Sequence, residues 1–367
     1  MELKKIEDKE KWMRLALSLA KKGQGKVSPN PLVGAVIVKE GKLVGKGYHR
    51  YFGGPHAEIE AIKDAKDNAK GGTLFVNLEP CCHFGKTPPC TEAIIKAGIK
   101  KVVVATLDPN PLVNGKGVEI LRKAGVEVEV GVCEEEAKKI NEFFLKFIKE
   151  KIPFVIVKAA ASLDGKIATF KGESKWITGE KSRKKGKMLR SMVDAILVGI
   201  NTVIKDDPQL FPPVKRKRFY RILLDTNLKV PLGAKIIKDQ HLYPTVIFAG
   251  CKVKREKVRI LKEKGVRVEV VESTSTKVNL KEVLKKLGEK NIASLLVEGG
   301  GEVIASFFEN KLVDKVFVFL SPILIGGKDA PTWFEGKGFS HLKCAPRIKI
   351  ERLQRIEEDL LIEGYPE

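Results

Sequence analysis

Short apolar segments with the character of β-strands alternate with helical patterns along most of the 367-residue chain. In the first half, strands are predicted at 73–78, 101–106 and 126–132. A short helical pattern at 118–123 lies between the second and third of these strands. Strands separated by helices are connected by crossovers, which produce a parallel or mixed sheet covered by helices. The chain is therefore predicted to have a layered α/β architecture.

Other local patterns complete the first half. A helix is predicted over 9–22, and a hairpin over 33–49 is predicted to turn at Glu40-Gly41. A helix opens in the segment 55–65, with Pro55 just before its first turn, and another is predicted from about 91 to 97. One continuous amphipathic helix is predicted over 134–149.

The chain is long enough for two domains, each with its own core. We place the boundary at about 147–152, where a charged helix end is followed by Pro153 and a new apolar strand, and assign the domains to 1–148 and 152–367. No internal repeat is visible, so the two domains are expected to be unlike. Further strands are predicted at 196–200, 221–225, 245–250, 266–272, 294–301 and 315–320.

Composition narrows the class of protein. The formal charge of +22 allows a nucleic-acid surface, but no long basic block is present, and a lysine-rich solvated exterior explains it better. The apolar stretch 316–325 is too short for a membrane span, and the charged first residues lack an apolar targeting segment. We expect a cytoplasmic homo-oligomer that binds neither nucleic acid nor membrane.

The strongest chemical motif is His56-Ala57-Glu58, followed by Cys81 and Cys90. One imidazole and two thiolates can bind zinc and leave a fourth position for water, which zinc makes nucleophilic near neutral pH. Glu58 is close enough to carry protons without binding the metal. His-x-Glu followed by Pro-Cys and a further cysteine is the signature of zinc deaminases. The motif predicts hydrolytic removal of an amino group from a heterocycle.

The spacing of the two cysteines and the presence of Cys82 and His83 both affect the assignment of the metal ligands. The two cysteines are separated by eight residues instead of two, and the segment between them can line a pocket. Cys82 and His83 are rival ligands, but Cys82 follows Cys81 directly at a strand end and should point elsewhere. A purely structural zinc site would not explain Glu58.

Two polar residues near the motif are candidate substrate contacts. Asn30, between two prolines before the first strand, offers an amide donor and acceptor to a heterocycle edge, although turn asparagines are common in such places. His49, at the end of the hairpin, is either a substrate contact or an ordinary loop histidine.

The second half contains a strand, a glycine run and a helix at 294–308. Glycines at 299–301 allow a ligand to approach the backbone, and the helix N-terminus offers free N–H groups to a phosphate, although a tight strand–helix turn has the same sequence. Polar segments at 161–178 and 199–213 are predicted to surround a cleft at the strand ends. These features indicate a nucleotide or phosphate ligand.

Taken together, the motifs resemble the bifunctional deaminase/reductase family of riboflavin biosynthesis over essentially the whole chain. The resembling segments are NPLVGAVIV, GYHRYFGGPHAE, LEPCCHFGKTPPC, DPNPLVNGKG, ASLDGKIA, GESKWIT, NTVIKDDPQL and LVEGGG. The eight-residue cysteine spacing is typical of that family. The resemblance implies a cytidine-deaminase-like three-layer domain followed by a dihydrofolate-reductase-like α/β domain.

The resemblance also implies two reactions on a small phosphorylated pyrimidine. The first deaminates 2,5-diamino-6-(5-phosphoribosylamino)pyrimidin-4(3H)-one with Zn²⁺, and the second reduces the ribose of the product to a ribityl chain with NADPH. His56, Cys81 and Cys90 match the metal ligands, and Glu58 matches the proton donor. The positions that match the NADP contacts are Ala160, Trp176, Thr202, Asp206, Thr226 and the turn 300–306, including Gly300 and Gly301. The positions that match substrate contacts of the reductase are Ser174, Arg190, Leu210 and Glu298.

One position departs from the family pattern. An arginine usually follows Leu210 by a few residues, and here only Arg216 or Arg218 is available to replace it. The proton source for the reduction is unassigned, and Asp206 is the candidate. The alternatives are a tRNA adenosine deaminase with an appended domain, which the basic charge favours, and a non-catalytic zinc-stabilised NADP-binding regulator.

Overall fold

The computed structural model describes residues 2–84 and 88–367, with side chains from Asp8 onward. The chain divides into two compact units, Met1–Lys151 and Ile152–Glu367. No helix in the described part of the chain is long and apolar enough to span a membrane.

The first unit is a five-stranded mixed sheet in the order β2-β1-β3-β4-β5. Strand β1 is antiparallel to both β2 and β3, whereas β3, β4 and β5 are parallel. Its strands are β1 (Gly34–Lys39), β2 (Lys42–Tyr48), β3 (Thr73–Val76), β4 (Lys101–Val104) and β5 (Glu127–Val130). Its helices are α1 (Glu2–Ala20), α2 (Ala57–Ala65), α3 (Cys90–Lys96), α4 (Lys116–Lys123), α5 (Glu134–Ile140) and α6 (Glu142–Glu150).

Helices cover both faces of this sheet. Ile37 and Val76 pack with α2, α3 and α4 on one face, while their neighbours Val36 and Phe75 pack with α1 and α5 on the other. Successive strand residues point to opposite faces, so a sheet with apolar neighbours along a strand needs a layer on each side. The three-layer architecture predicted for this domain is confirmed.

The predicted hairpin is present and turns where the sequence placed it. Glu40 and Gly41 both have positive φ, 51° and 72°. A two-residue turn with both central residues in this conformation matches the twist of the flanking strands, and glycine adopts it without steric cost. This turn connects β1 to β2, which ends beside His49 and so leads the chain toward the metal motif.

The continuous helix predicted over 134–149 is wrong. The helix is interrupted at Asn141, which has φ −109° and ψ 14° and separates α5 from α6. The buried side chain of Asn141 accepts a hydrogen bond from Leu32 N at 2.7 Å and donates to Leu32 O at 3.0 Å. The apolar periodicity continues across the break, so only this long-range contact reveals it.

We expect Asn141→Ala to destabilise the first unit by roughly 2 kcal/mol, because the Leu32 amide loses its partner in a half-buried position. The measurement is thermal or urea unfolding of the purified chain, monitored with a spectroscopic signal that reports on the first unit. Asn68→Ala, at an exposed asparagine, is the matched control and should change stability little. Equal effects of the two substitutions would show that the Asn141 contacts do not stabilise the fold.

The second unit contains a nine-stranded sheet in the order β10-β9-β8-β7-β11-β6-β12-β14-β13. The first seven strands of that order are parallel, and β14 is antiparallel to both of its neighbours. The strands are β6 (Phe154–Ser162), β7 (Ala195–Gly199), β8 (Tyr220–Leu224), β9 (Thr245–Ala249), β10 (Arg267–Val270), β11 (Ser294–Val297), β12 (Lys315–Ser321), β13 (Ile348–Ile356) and β14 (Asp359–Pro366). The helices are α7 (Glu180–Leu189), α8 (Ile200–Asp206), α9 (Lys235–Lys238), α10 (Arg255–Glu263), α11 (Leu280–Glu289) and α12 (Gly301–Glu309).

The central strands of this sheet are covered on both faces. Strands β7 and β9 are buried along their whole length, as expected for parallel strands between helical layers. Helices α11 and α12 pack on one face through Leu284, Leu287 and Phe307. The β13–β14 hairpin was not predicted, although the sequence of β13 alternates apolar and polar residues.

Candidate functional sites

The metal motif is brought together by two helix starts and one loop. His56 is the N-cap of α2, Cys90 is the first residue of α3, and Cys81 lies in the loop after β3. The backbone N–H of Cys90 points to Cys81 Sγ at 3.4 Å. Helix N-termini stabilise negative charge, so this arrangement favours thiolates at the site.

The three donor atoms fit one metal ion. His56 Nδ1 lies 3.2 Å from Cys90 Sγ and 3.5 Å from Cys81 Sγ, and the three ligand atoms all lie within 4.8 Å of one another. Zinc bonds of about 2.0 Å to nitrogen and 2.3 Å to sulfur in a tetrahedral site separate such ligands by roughly 3.6 Å. A hydrogen bond from Cys90 and the His56 imidazole lower the pKa of Cys81 to about 4.

Glu58 lies on the first turn of α2, beside these ligands. It is 3% exposed, and its Oε2 has no hydrogen-bond partner among the described residues. Burial raises the pKa of its carboxyl to about 7, against the opposing effect of His56. A buried carboxylate oxygen without a partner is costly, so this atom is placed for a group that binds in the site.

The rival ligands lie outside the trio. Cys82 Sγ is directed to the carbonyl oxygen of Leu112, at 3.6 Å, and neither Cys82 nor His83 belongs to the donor group found among the described residues. Of the segment 82–89 that is predicted to line a pocket, residues 85–87 lie outside the described residues.

Asn30 and His49 lie beside the metal motif. Asn30 Nδ2 is 3.2 Å from His49 Nε2, and His49 Nδ1 is 2.9 Å from the carbonyl oxygen of Pro55. The His49 ring meets the His56 ring edge-on, with centroids 5.5 Å apart. His49 is 2% exposed, and this burial lowers its pKa, which favours the neutral ring.

Sequence reasoning missed a second carboxylate of the motif. Glu79, 3% exposed, accepts hydrogen bonds from the backbone N–H groups of Asp108, Gly115 and Val118 at 3.2, 2.9 and 3.1 Å. These bonds fix the segment between β4 and α4 against the start of the Cys81 loop. The position of Glu79 could have indicated this role, because the residue lies between a predicted buried strand and Pro80-Cys81.

In the second unit, several predicted site residues follow adjacent parallel strands. Ala160 lies near the end of β6, and Thr202, Thr226 and Gly300 follow β7, β8 and β11. These strands are neighbours in the sheet, so their carboxyl ends share one edge, where open α/β sheets bind ligands. Asp206 is exposed at the end of α8, and Ser174 lies in the long connection between β6 and α7.

The glycine run forms a narrow start to α12. A Cβ on Gly301 would lie 2.4 Å from the carbonyl oxygen of Thr332, so this position is restricted to glycine. A Cβ on Gly300, the N-cap, would meet no atom of the described residues within 4 Å. The N–H groups at a helix N-terminus favour negatively charged groups.

Arg190 and Glu298 form a bidentate ion pair, with Nε–Oε1 at 2.9 Å and Nη2–Oε2 at 3.0 Å. Lys158 Nζ lies 3.8 Å from Glu298 Oε2, because Val157 on β6 is in register with Val297 on β11. Burial would raise the pKa of Glu298, but the charges of Lys158 and Arg190 outweigh it, and its pKa is lowered. Sequence reasoning missed Lys158, although a lysine within an otherwise apolar strand is an available signal.

Leu210 is buried with φ 59°, and the adjoining Phe211 carbonyl accepts a hydrogen bond from Arg190 Nη1 at 3.3 Å. The two arginines considered as replacements for the missing one are engaged elsewhere. Arg216 is buried and donates to the carbonyls of Ser191 and Val193, at 2.6 and 2.9 Å. Arg218 donates to the carbonyl of Lys290.

Trp176 is 66% exposed, so it is not a core tryptophan. The Arg183 guanidinium lies over its ring, 4.3 Å from the centroid. Such stacking orients an exposed indole and keeps one face defined.

Comparison with known proteins assigns both units to one protein family. Residues 6–106 match the cytidine and deoxycytidylate deaminase zinc-binding region, and residues 153–362 match the RibD C-terminal domain. The riboflavin biosynthesis protein RibD of Aquifex aeolicus is 50% identical over 96% of both chains. The chain belongs to the RibD family. The RibD of Escherichia coli is 35% identical, covering 96% of this chain and 98% of its own.

Solved RibD structures have the same fold over nearly the whole chain. A structure of Acinetobacter baumannii RibD superposes with a TM-score of 0.89 at 38% identity, covering 99% of both chains. A deaminase/reductase from Thermotoga maritima superposes with a TM-score of 0.85 at 40% identity, covering 98% of this chain and 99% of its own. The predicted resemblance and fold class are confirmed.

Membership of the RibD family settles the class of protein. The chain is a bifunctional enzyme of riboflavin biosynthesis with a deaminase domain and a reductase domain. A tRNA adenosine deaminase is not favoured, and a non-catalytic regulator is excluded because the family is enzymatic.

Proposed function

We propose that the first unit hydrolyses the amino group of 2,5-diamino-6-(5-phosphoribosylamino)pyrimidin-4(3H)-one with Zn²⁺. The second unit then reduces the ribose of 5-amino-6-(5-phosphoribosylamino)uracil with NADPH. The observation that carries the proposal is the buried Oε2 of Glu58, which has no partner among the described residues and lies beside a three-donor metal group. The similar protein from Thermotoga maritima is a diaminohydroxyphosphoribosylaminopyrimidine deaminase/5-amino-6-(5-phosphoribosylamino)uracil reductase, which supports the choice of substrate.

His56, Cys81 and Cys90 would hold the zinc ion. When bound, zinc lowers the pKa of water toward neutrality and so supplies a nucleophile. Glu58 accepts the proton of the attacking water at its buried carboxylate and delivers it to the departing amino group, which leaves as ammonia. Glu79 holds the segment containing Asp108 against the start of the Cys81 loop through its hydrogen bonds to backbone N–H groups.

In the second unit, Gly300 and Gly301 would contact the phosphates of NADPH at the start of α12. The remaining proposed coenzyme contacts are Ala160, Trp176, Thr202, Asp206 and Thr226. When bound, NADPH supplies a hydride for the ribose carbon. Asp206 remains the proposed proton source for this step.

The proposed substrate contacts of the reductase are Ser174, Arg190, Leu210 and Glu298, to which the structure leads us to add Lys158. The group of Lys158, Arg190 and Glu298 has more positive than negative charge and is largely buried. Such a group favours an anionic substrate, and the arginine fork suits a phosphate or a sugar oxygen.

The deciding experiment supplies the diaminopyrimidine phosphate and measures ammonia release and NADPH oxidation in the same reaction. We expect ammonia first, and NADPH oxidation only after deamination. A parallel incubation with tRNA is the control for substrate class. Inosine formation in tRNA without turnover of the pyrimidine would overturn the proposal.

The ligand trio is tested by single serine substitutions. Cys81→Ser and Cys90→Ser should each remove zinc and deaminase activity, because a thiolate ligand is lost. Cys82→Ser is the matched control and should retain both, since its sulfur faces Leu112. Zinc content by atomic absorption and ammonia release are the measurements, and a metal-free Cys82→Ser variant would contradict the assignment.

A further inference from the structure

His49 lies between a carbonyl group and an amide, and both of its ring nitrogens are occupied. Nδ1 is 2.9 Å from Pro55 O, and Nε2 is 3.2 Å from Asn30 Nδ2. A carbonyl oxygen only accepts, so Nδ1 carries the proton. The NH₂ group of Asn30 faces Nε2, and an NH₂ group only donates, so Nε2 is the acceptor of this pair.

The orientation of the Asn30 amide follows from this polarity. Because Nδ2 is directed to His49, the hydrogen bond to His49 leaves the carbonyl Oδ1 of Asn30 available to another group. Asn30 is half-buried, and its backbone N–H bonds to Val27 O at 2.9 Å, so the position of the residue is fixed. The neighbouring His49 is in turn fixed through its own N–H, which bonds to Val33 O at 2.9 Å.

We propose that His49 is a positioning residue, which sets the orientation of the Asn30 amide so that Oδ1 accepts a hydrogen bond from an N–H group of the pyrimidine. This inference rests on the proposed deaminase function and deepens it. Under this proposal His49, which is 2% exposed with both nitrogens bonded, acts on the substrate through Asn30.

The orientation of the Asn30 amide also determines whether the site pairs with a donor or an acceptor on the pyrimidine. An amide that presents NH₂ would pair with a carbonyl or a bare ring nitrogen, whereas one that presents oxygen pairs with an N–H donor. A site committed to one polarity discriminates against the opposite edge, because the wrong ligand leaves buried polar groups unpaired. The contact chain Asn30–His49–Pro55 ends directly beside His56, so this selection occurs next to the metal ligands.

Two substitutions of His49 distinguish the role of Nδ1 from the role of Nε2. In His49→Gln the longer side chain can place an amide oxygen near the former Nε2, which preserves an acceptor for Asn30. In His49→Asn the shorter side chain reaches only the region of Nδ1, so the bond to Pro55 survives and the acceptor for Asn30 is lost. Asn30→Ala and the double variant His49→Asn/Asn30→Ala complete the set.

The measurements are kcat and KM for ammonia release from the diaminopyrimidine phosphate, together with zinc content. Reductase activity on the deaminated intermediate tests whether the rest of each variant is intact. We expect His49→Asn and Asn30→Ala to lower kcat/KM by roughly tenfold to a hundredfold with zinc retained. His49→Gln should keep most of the activity, and the double variant should match Asn30→Ala alone.

Three results would overturn the inference. Additive losses in the double variant would show that His49 does not act through Asn30. Equal impairment of His49→Gln and His49→Asn, or loss of zinc in both, would indicate that the imidazole only packs against the metal site. Full activity of Asn30→Ala would show that the amide does not contact the substrate. Failure of the unsubstituted enzyme to release ammonia would instead overturn the proposed function.

Discussion

Glu58→Gln is expected to lower kcat for deamination by about a thousandfold or more, while zinc binding and the reductase reaction are unchanged. Proton transfer by a positioned side chain contributes roughly 10²–10⁴ in rate, and an amide cannot carry the proton. Glutamine has nearly the same shape and removes a buried carboxylate oxygen that has no partner among the described residues. The variant should therefore fold at least as well as the parent enzyme.

The matched control for this prediction lies two residues away on the same helix. Glu60 is paired with the exposed Arg50, at 3.2 Å, and Glu60→Gln should leave deamination nearly unchanged. The measurements are ammonia release, zinc content and NADPH oxidation with the deaminated intermediate. Deamination that survives in Glu58→Gln, or zinc lost from it, would refute the assignment of Glu58 as the proton carrier.

Glu298→Gln is expected to destabilise the second unit by roughly 3 kcal/mol and to reduce NADPH oxidation at least about a hundredfold. Glutamine leaves the charges of Arg190 and Lys158 without their counter-charge in a site where Glu298 is only 11% and Arg190 16% exposed. Arg190 also loses the bidentate bonds that orient it toward the Phe211 segment. Deamination should be unaffected.

The pH dependence of this effect has a definite sign. The pKa of Glu298 is lowered in the folded protein, so the ion pair stabilises the fold above the ordinary carboxyl pKa. That stability is lost as the pH falls through the lowered pKa and Glu298 becomes protonated. The difference in melting temperature between parent and variant should therefore be full at neutral pH and decrease on acidification below the usual glutamate range.

Glu357→Gln provides the control for charge removal in the same unit. Glu357 pairs with Lys181 at 2.8 Å, but these side chains are 49% and 69% exposed, and such pairs contribute at most about 1 kcal/mol. Thermal unfolding across pH and NADPH oxidation are the measurements. If Glu298→Gln behaves like Glu357→Gln in both, the buried ion pair is neither a stabilising element nor part of the reductase site.

Much of the fold was predictable because its signals are local. The turn at Glu40-Gly41, the helix start after Pro55 and the apolar strands depend on residues close together in the chain. The break at Asn141 was not predictable, because the apolar period continues through it and the partner, Leu32, is far away in sequence. The edge strand β13 was missed because a largely exposed strand lacks the apolar run that marks the central ones.

The sequence by itself determined the chemistry of the metal motif, because ligand type and the short spacing of His56 and Glu58 restrict what the residues can do together. Only the tertiary structure decided how polar groups distant in sequence are paired. The register of β6 and β11 places Lys158 beside Glu298, and the meeting of two loops directs the Asn30 amide toward His49. Hydrogen bonds and ion pairs form between groups that the folded backbone brings within about 3–4 Å, and no local pattern encodes that approach.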